Sequence, residues 1–115
     1  MDVKEAYESV GSNYDNVLKR LGSEAMIKRF AVKFLNDPTF QELKNALDAK
    51  DAESAFRAAH TMKGICLNLG FDQLYEVSAA LTEQLRGREI AGSEAMYQQV
   101  VEQYDRLTAA IKAID

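Results

Sequence analysis

The chain is poor in the residues that build covalent cross-links and metal sites. It has one cysteine, Cys66, and one histidine, His60, among its 115 residues, and it has no tryptophan. A single cysteine forms no internal disulfide, and one cysteine with one histidine supplies too few ligands for a zinc site of the usual composition. We therefore expect this chain to hold no metal ion and no cofactor.

Proline and glycine are also scarce, with a single proline at position 38 and six glycines. Ala, Leu, Glu, Lys and Gln dominate instead, and that mixture favours helices over strands. With 115 residues, of which 47% are hydrophobic, the chain can form one domain with a core but is too short for two ordinary ones. We expect a single all-α domain over residues 1–115.

The chain lacks a basic excess and a long apolar run. Its 18 acidic and 14 basic residues give a net charge of -4, whereas nucleic-acid-binding domains usually carry a clustered basic excess. No apolar stretch approaches the ~18 residues of a membrane span. The residues from Met1 to Glu5 lack the basic and then apolar pattern of a secretory signal. We expect a cytoplasmic protein that binds neither nucleic acid nor a membrane.

Hydrophobic periodicity predicts helices in the first third of the chain. A short helix is expected from Asp2 to Ser9, a second one ends at Gly22, and Ser23 is a candidate N-cap for a third that stops near Asn36. The apolar positions of the second and third helices are Tyr14, Val17, Leu18, Leu21, Met26, Ile27, Phe30, Phe34 and Leu35.

Four further helices are expected to follow, beginning near residues 38, 52, 72 and 94. Their candidate start and stop signals are Asp37 with Pro38, Asp51, Gly70, Gly87 and Ser93. The connections between these helices are short, and short connections make neighbouring helices antiparallel. The predicted architecture is therefore an antiparallel up-down four-helix bundle with one or two additional short N-terminal helices.

The helix predicted from Ala52 to Leu69 carries His60 and has two different faces. At ~100° per residue, one arc is a nearly continuous apolar stripe. That core face consists of Ala55, Ala58, Ala59, Met62, Ile65, Cys66 and Leu69. The opposite arc contains Phe56, His60, Lys63, Gly64 and Leu67. His60 is therefore predicted to point away from the core.

His60, Lys63 and Gly64 form the cluster with the clearest chemical interpretation. A neutral imidazole has a free nitrogen lone pair and is a potential nucleophile, and Lys63, one turn along, can bring an ammonium group near an anion attached to it. The alternative is that both are solvated surface residues. Gly64 is harder to explain in that way, because a glycine inside a helix costs about 1 kcal/mol relative to alanine. A close approach of another molecule to the helix backbone would explain it.

The apolar residues near His60 have two interpretations. Phe56 and Leu67 lie on either side of it and could form a docking patch for another protein, but each could equally pack on a neighbouring helix. Cys66 lies on the predicted core face, where cysteine acts as a small apolar residue. We therefore interpret Cys66 as part of the core and assign it no redox role.

One segment of the chain resembles a known family. The run His60-Thr61-Met62-Lys63-Gly64, followed by Asn68-Leu69-Gly70-Phe71, closely resembles the signature of histidine phosphotransfer (HPt) domains of bacterial multistep phosphorelays. The family pattern is His-x-x-Lys-Gly and then Leu-Gly, and the resemblance extends over about residues 10 to 115. Leu67 and Cys66 depart from it, because small residues are common at those positions in the family.

The resemblance implies a four-helix bundle with an exposed phosphoacceptor. His60 would accept a phosphoryl group from the aspartyl phosphate of one receiver domain and pass it to another. Lys63 would stabilise the phosphoryl oxygens, Gly64 would leave room for the receiver, and the receiver itself would hold the Mg²⁺ ion. The implied partners are response-regulator receiver domains, with a hybrid sensor histidine kinase as a further candidate, and a monomer is the simplest expectation. The candidate docking residues are Phe56, Arg57 and Leu67.

A second hypothesis comes from a different functional class. The chain could be a non-catalytic helical adaptor that binds a signalling partner through the His60 face, and absence of phosphate uptake would favour it. No autonomous kinase activity is expected, because the glycine-rich ATP-lid motifs of sensor kinases are missing. A carrier of this kind takes part in catalysis without a complete active site of its own, which leaves open whether it is called an enzyme. A hydrolase with His60 as its base lacks a nucleophile and an orienting carboxylate at recognisable spacing.

Overall fold

The computed structural model describes residues Met1–Asp115 and contains helices and no strands. The seven helices are α1 (Val3–Ser9), α2 (Tyr14–Leu21), α3 (Glu24–Phe34), α4 (Thr39–Asp48), α5 (Ala52–Leu69), α6 (Asp72–Leu85) and α7 (Glu94–Lys112). The all-α prediction is confirmed. No helix combines the length and the apolar character that crossing a membrane requires.

Helices α4 to α7 form the predicted bundle. Helix α5 packs between α4 and α6, and α6 packs in turn on α7. The ring closes between α4 and α7, where Phe40 stacks on Tyr104 with 3.9 Å between ring centroids and lies 6.4 Å from Tyr97. Stacked aromatic pairs can stabilise a contact beyond the apolar area they bury. The His60 helix therefore has neighbours on both sides and one face open to solvent.

Three helices precede the bundle, as the hydrophobic periodicity of the first third of the chain predicts, whereas the predicted architecture allowed for only one or two. Gly22, at φ +89°, ends α2, and the Ser23 side chain accepts a hydrogen bond from the Met26 amide at the start of α3. Helix α1 packs on α7 and α3. The Tyr7 hydroxyl donates to the Leu69 carbonyl (2.8 Å), which fastens the N-terminal segment to the end of α5.

Most helix ends follow the predicted local signals. Asp51 accepts a hydrogen bond from the Ser54 amide (3.1 Å) at the start of α5. Gly70, at φ +73°, closes the same helix, and its amide donates to the Cys66 carbonyl. Both predictions are confirmed, and both depend on groups within four residues of each other.

Three helix ends differ from the prediction. Helix α4 begins at Thr39, one residue later than predicted, because Pro38 lies before the first turn while Asp37 accepts from the Thr39 amide (2.8 Å). The Ser93 hydroxyl does not cap α7; it donates instead to the Ile90 carbonyl (2.6 Å). After α6 the left-handed residue is Arg88, at φ +62°, and Gly87 has no positive φ.

One core runs through the bundle and continues to the N-terminal helices. Phe71 is buried at the α5–α6 turn, with its ring centroid 5.1 Å from that of Phe34 and 5.5 Å from that of Tyr7. Burial raises the pKa of the Tyr7 phenol above its ordinary value. Apolar burial of this kind is the main favourable term in folding, and here it fixes the α5–α6 turn, about three helical turns from His60.

Candidate functional site

His60 lies near the middle of α5, on the face that the bundle leaves open. The side chains predicted for the opposite face are buried at Ala55, Ala58, Ala59, Met62 and Cys66, and His60 is exposed. The predicted orientation of the helix is therefore confirmed. This orientation follows from helical geometry, because successive residues are rotated by ~100° about the helix axis. With Ala55, Ala59, Met62 and Cys66 facing the core, His60 faces solvent.

Lys63 follows His60 by one helical turn and is half-buried. Five ion pairs form in the chain, and Lys63 takes part in none of them. Hydrogen bonding from Arg86 lowers the pKa of the Glu83 carboxyl, and the charge of Lys63 adds to that effect. The ammonium group is thus available to a further anion on the His60 face.

Gly64 has open space where a side chain would be. A Cβ atom built on it meets no heavy atom within 4 Å, and its backbone is ordinary helix without a positive φ. Packing inside this chain therefore does not require glycine at position 64, although glycine is unfavourable in a helix interior. The open space faces outward, beside the exposed imidazole.

Phe56 lies on the other side of His60, and its ring stacks beside the imidazole. The two ring centroids are 6.0 Å apart, with 30° between the ring planes. The guanidinium of Arg88 lies over the same phenyl ring at 3.9 Å from its centroid, and that of Arg86 lies at 5.4 Å. Phe56 is half-buried by these contacts, so it both packs within the chain and borders the site.

Glu53 bonds to two arginines near Phe56, namely Arg57 and Arg88. It accepts hydrogen bonds from Arg88 and from Arg57 (3.2 Å), and the bond from Arg88 is the main reason that its carboxyl pKa is lowered. Arg57, a predicted docking residue, is exposed and precedes His60 on α5 by about one helical turn. The surface around His60 is therefore cationic, with carboxylates that neutralise part of the charge.

Leu67 extends the site in the other direction. Its side chain is 54% exposed, which makes it the most exposed large apolar residue in the chain. Arg20 of α2 donates to the Leu67 carbonyl (2.6 Å), so the end of α2 borders the same surface. The structure thus places Phe56 and Leu67 on one open face with His60 between them.

Sequence reasoning missed Glu53, Arg86, Arg88 and Arg20 as neighbours of this face. The turn at Gly70 makes α5 and α6 antiparallel, so the end of α6 lies at the level of Glu53 and Phe56 near the start of α5. Pairing the residues of the two helices outward from that turn would have predicted that Arg86 and Arg88 lie near Glu53 and Phe56. Arg20 gave no such signal, because α2 lies outside the bundle. No group of three or more His, Cys, Asp or Glu side chains is arranged to hold a metal ion.

Comparison with known proteins identifies the class to which this fold and site belong. A family model described as the Hpt domain matches residues 36–113, which covers α4 to α7. The chain belongs to the Hpt domain family, whose role is histidine phosphotransfer in phosphorelays and whose partners are receiver domains. No curated protein and no solved structure matches it.

Proposed function

We propose that His60 is the phosphoacceptor, which takes a phosphoryl group from the aspartyl phosphate of one receiver domain and passes it to a second receiver. The observation that supports this most is the exposure of the only histidine of an Hpt-family chain on the open face of α5. An unpaired ammonium at Lys63 and open space at Gly64 lie beside it.

The proposed step is an in-line displacement at phosphorus. The lone pair of one imidazole nitrogen, Nε2 by resemblance to the family, attacks the phosphorus atom while the other nitrogen keeps its proton. The P–O bond to the receiver aspartate breaks and its electron pair stays on the carboxylate. The second receiver reverses these events, since its carboxylate attacks and the imidazole leaves neutral. Catalysis of this kind needs positioning and charge neutralisation more than covalent chemistry.

Lys63 supplies this chain's share of the charge neutralisation. A lysine ammonium is a compact cation with three donors on a flexible stem, and from one turn away it reaches the equatorial oxygens of a group on His60. The Mg²⁺ ion of the reaction would come with the receiver. Lys63 therefore assists both directions of transfer without selecting one.

Docking uses the same face. Phe56, Arg57 and Leu67 present apolar and cationic groups around His60, and a surface that combines exposed apolar groups with charged ones suits a protein partner. The brief encounters of a signalling carrier require only a modest interface. We propose that the chain works as a monomer in the cytoplasm.

The decisive experiment is uptake and release of phosphate. The wild-type chain is incubated with Mg²⁺ and each member of a panel of phosphorylated receiver domains, and its intact mass is recorded before and after mild acid. We expect an acid-labile adduct of ~80 Da that disappears on addition of an unphosphorylated receiver. A folded chain that takes no adduct from any donor would instead support the adaptor hypothesis.

Gly64→Ala separates the fit of the partner from the stability of the helix. Alanine should stabilise the free chain by about 0.5–1 kcal/mol, because it replaces a glycine inside a helix. Its methyl group points into the space that the receiver needs, so transfer should slow about tenfold or more. Urea unfolding and stopped-flow transfer measure the two effects. The control is phosphorylation by phosphoramidate, a small donor that should modify both variants equally; unchanged transfer from receivers would contradict the role of Gly64.

A further inference from the structure

The loop between α6 and α7 places one arginine against the His60 site. The Arg88 guanidinium lies 3.9 Å from the centroid of the Phe56 ring, inside the range of a cation–π contact. Its Nε donates to Glu53, and its Nη1 donates to the Arg86 carbonyl (2.6 Å). Three separate contacts therefore fix the guanidinium over the phenyl ring.

The backbone at this position is unusual. Arg88 has φ +62°, in the left-handed region that L residues other than Asn and Asp seldom enter, although Gly87 next to it could adopt that conformation without a steric penalty. The Arg88 amide donates to the Leu85 carbonyl (2.8 Å), which holds the turn tight against the end of α6. Backbone strain of this kind persists where the surrounding structure demands it. From this turn the Arg88 side chain reaches Glu53 and Phe56 of α5.

The contacts continue from Arg88 to the histidine. Phe56 is held on one side by the guanidinium, and its ring stacks beside the His60 imidazole at 6.0 Å between centroids. An exposed imidazole on a helix would otherwise exchange freely among its rotamers. Phe56 limits that freedom only if its own ring is held in place.

We propose that Arg88 is a positioning residue for phosphotransfer, which acts through Phe56 to hold the His60 imidazole in the orientation that meets the receiver. This inference rests on the proposed role of His60 and adds a residue of the α6–α7 loop to it. Arg88 contacts Phe56 and Glu53, so it acts on the imidazole only through the phenyl ring. Its effect should therefore appear in the transfer step at saturating donor and not in the affinity for the receiver.

The test uses variants that keep the loop folded. Arg88→Gly removes the side chain and suits the positive φ, so the turn should survive. Arg88→Lys keeps a cation over the phenyl ring and should therefore hold Phe56 and His60 nearly as wild type does. Phe56→Leu removes the ring itself, and Arg106→Ala, an exposed arginine of α7 bonded to Gln73, controls for the loss of one surface cation.

The first readout is the proton spectrum of the imidazole, which is unambiguous because the chain has one histidine. Wild type should show a ring-current displacement of the His60 Hδ2 or Hε1 resonance that Phe56→Leu abolishes. Arg88→Gly should move that resonance toward its position in Phe56→Leu, and Arg88→Lys and Arg106→Ala should leave it near wild type. An Arg88→Gly spectrum identical to wild type would overturn the proposal.

The second readout is transfer kinetics from a phosphorylated receiver at several concentrations. Arg88→Gly should lower the saturating rate about two- to fivefold, the equivalent of one exposed cation–π contact, and leave the half-saturating concentration unchanged. A change confined to the half-saturating concentration would assign Arg88 to docking and overturn positioning. Failure of the proposed function itself is distinguishable, because wild type would then take no phosphoryl group while the imidazole spectra still report on Arg88.

Discussion

His60→Gln should take up no acid-labile phosphoryl group from any receiver that phosphorylates wild type. The chain has one histidine, so the substitution removes every site at which a phosphohistidine could form. Glutamine is polar and of similar size, and its amide nitrogen has no lone pair suited to attack on phosphorus. Because the side chain at position 60 is exposed, the free energy of unfolding should change by less than about 0.5 kcal/mol.

The measurement is intact mass after incubation with donor, with urea unfolding as the control for folding. Loss of the adduct in a variant that unfolds like wild type assigns the chemistry to the imidazole. An acid-labile adduct of undiminished amount on His60→Gln would show that another nitrogen carries the phosphoryl group, and would remove His60 from the mechanism.

Gly70→Ala should cause the largest loss of stability among substitutions to alanine at the glycines. Gly70 has φ +73°, and a Cβ there would lie 2.1 Å from Cγ2 of the buried Val17 and 3.3 Å from Nη2 of Arg20. The left-handed conformation alone costs an L residue roughly 1–2 kcal/mol, and forcing a methyl group into packed surroundings adds about 1–3 kcal/mol. We expect a total loss of about 2–5 kcal/mol in urea unfolding.

Gly22→Ala is the matched control for that prediction. Gly22 also has a positive φ, +89°, and also ends a helix, but a Cβ on it meets nothing within 4 Å. The loss in the free energy of unfolding of Gly22→Ala should therefore be limited to the cost of the left-handed conformation, roughly 1–2 kcal/mol. Equal losses in the two variants would mean that Val17 moves aside freely and that the α2 contact with the α5–α6 turn contributes little.

These two glycines also show how much of the fold follows from short-range sequence signals. Gly22 and Gly70 were predicted to end helices, and both adopt the left-handed conformation. Ser23 and Asp51 were predicted to start helices, and both accept the expected amide hydrogen bond. Each of these features involves groups three or four residues apart, so the sequence alone contains the complete interaction.

The predictions that failed involve choices among nearby residues. Ser93 bonds to Ile90 behind it instead of an amide ahead of it, because a hydroxyl has several backbone partners within reach. The left-handed position after α6 falls on Arg88 and not on Gly87. In that turn the side chain of Arg88 gains contacts with Glu53 and Phe56 that lie some 30 positions earlier in the chain.

The sequence by itself determined the helices, the face of α5 that His60 occupies and the chemical types beside it. Helical periodicity assigns His60, Lys63 and Gly64 to one open arc, because their spacing is local and the apolar stripe opposite is nearly continuous. Only the tertiary structure decided what surrounds that arc. The arginines over Phe56, the stack of Phe40 on Tyr104 and the contact of Arg20 with Leu67 join elements distant in the chain. Such contacts depend on how helices pack and on the course of the loops, and no spacing within one helix encodes them.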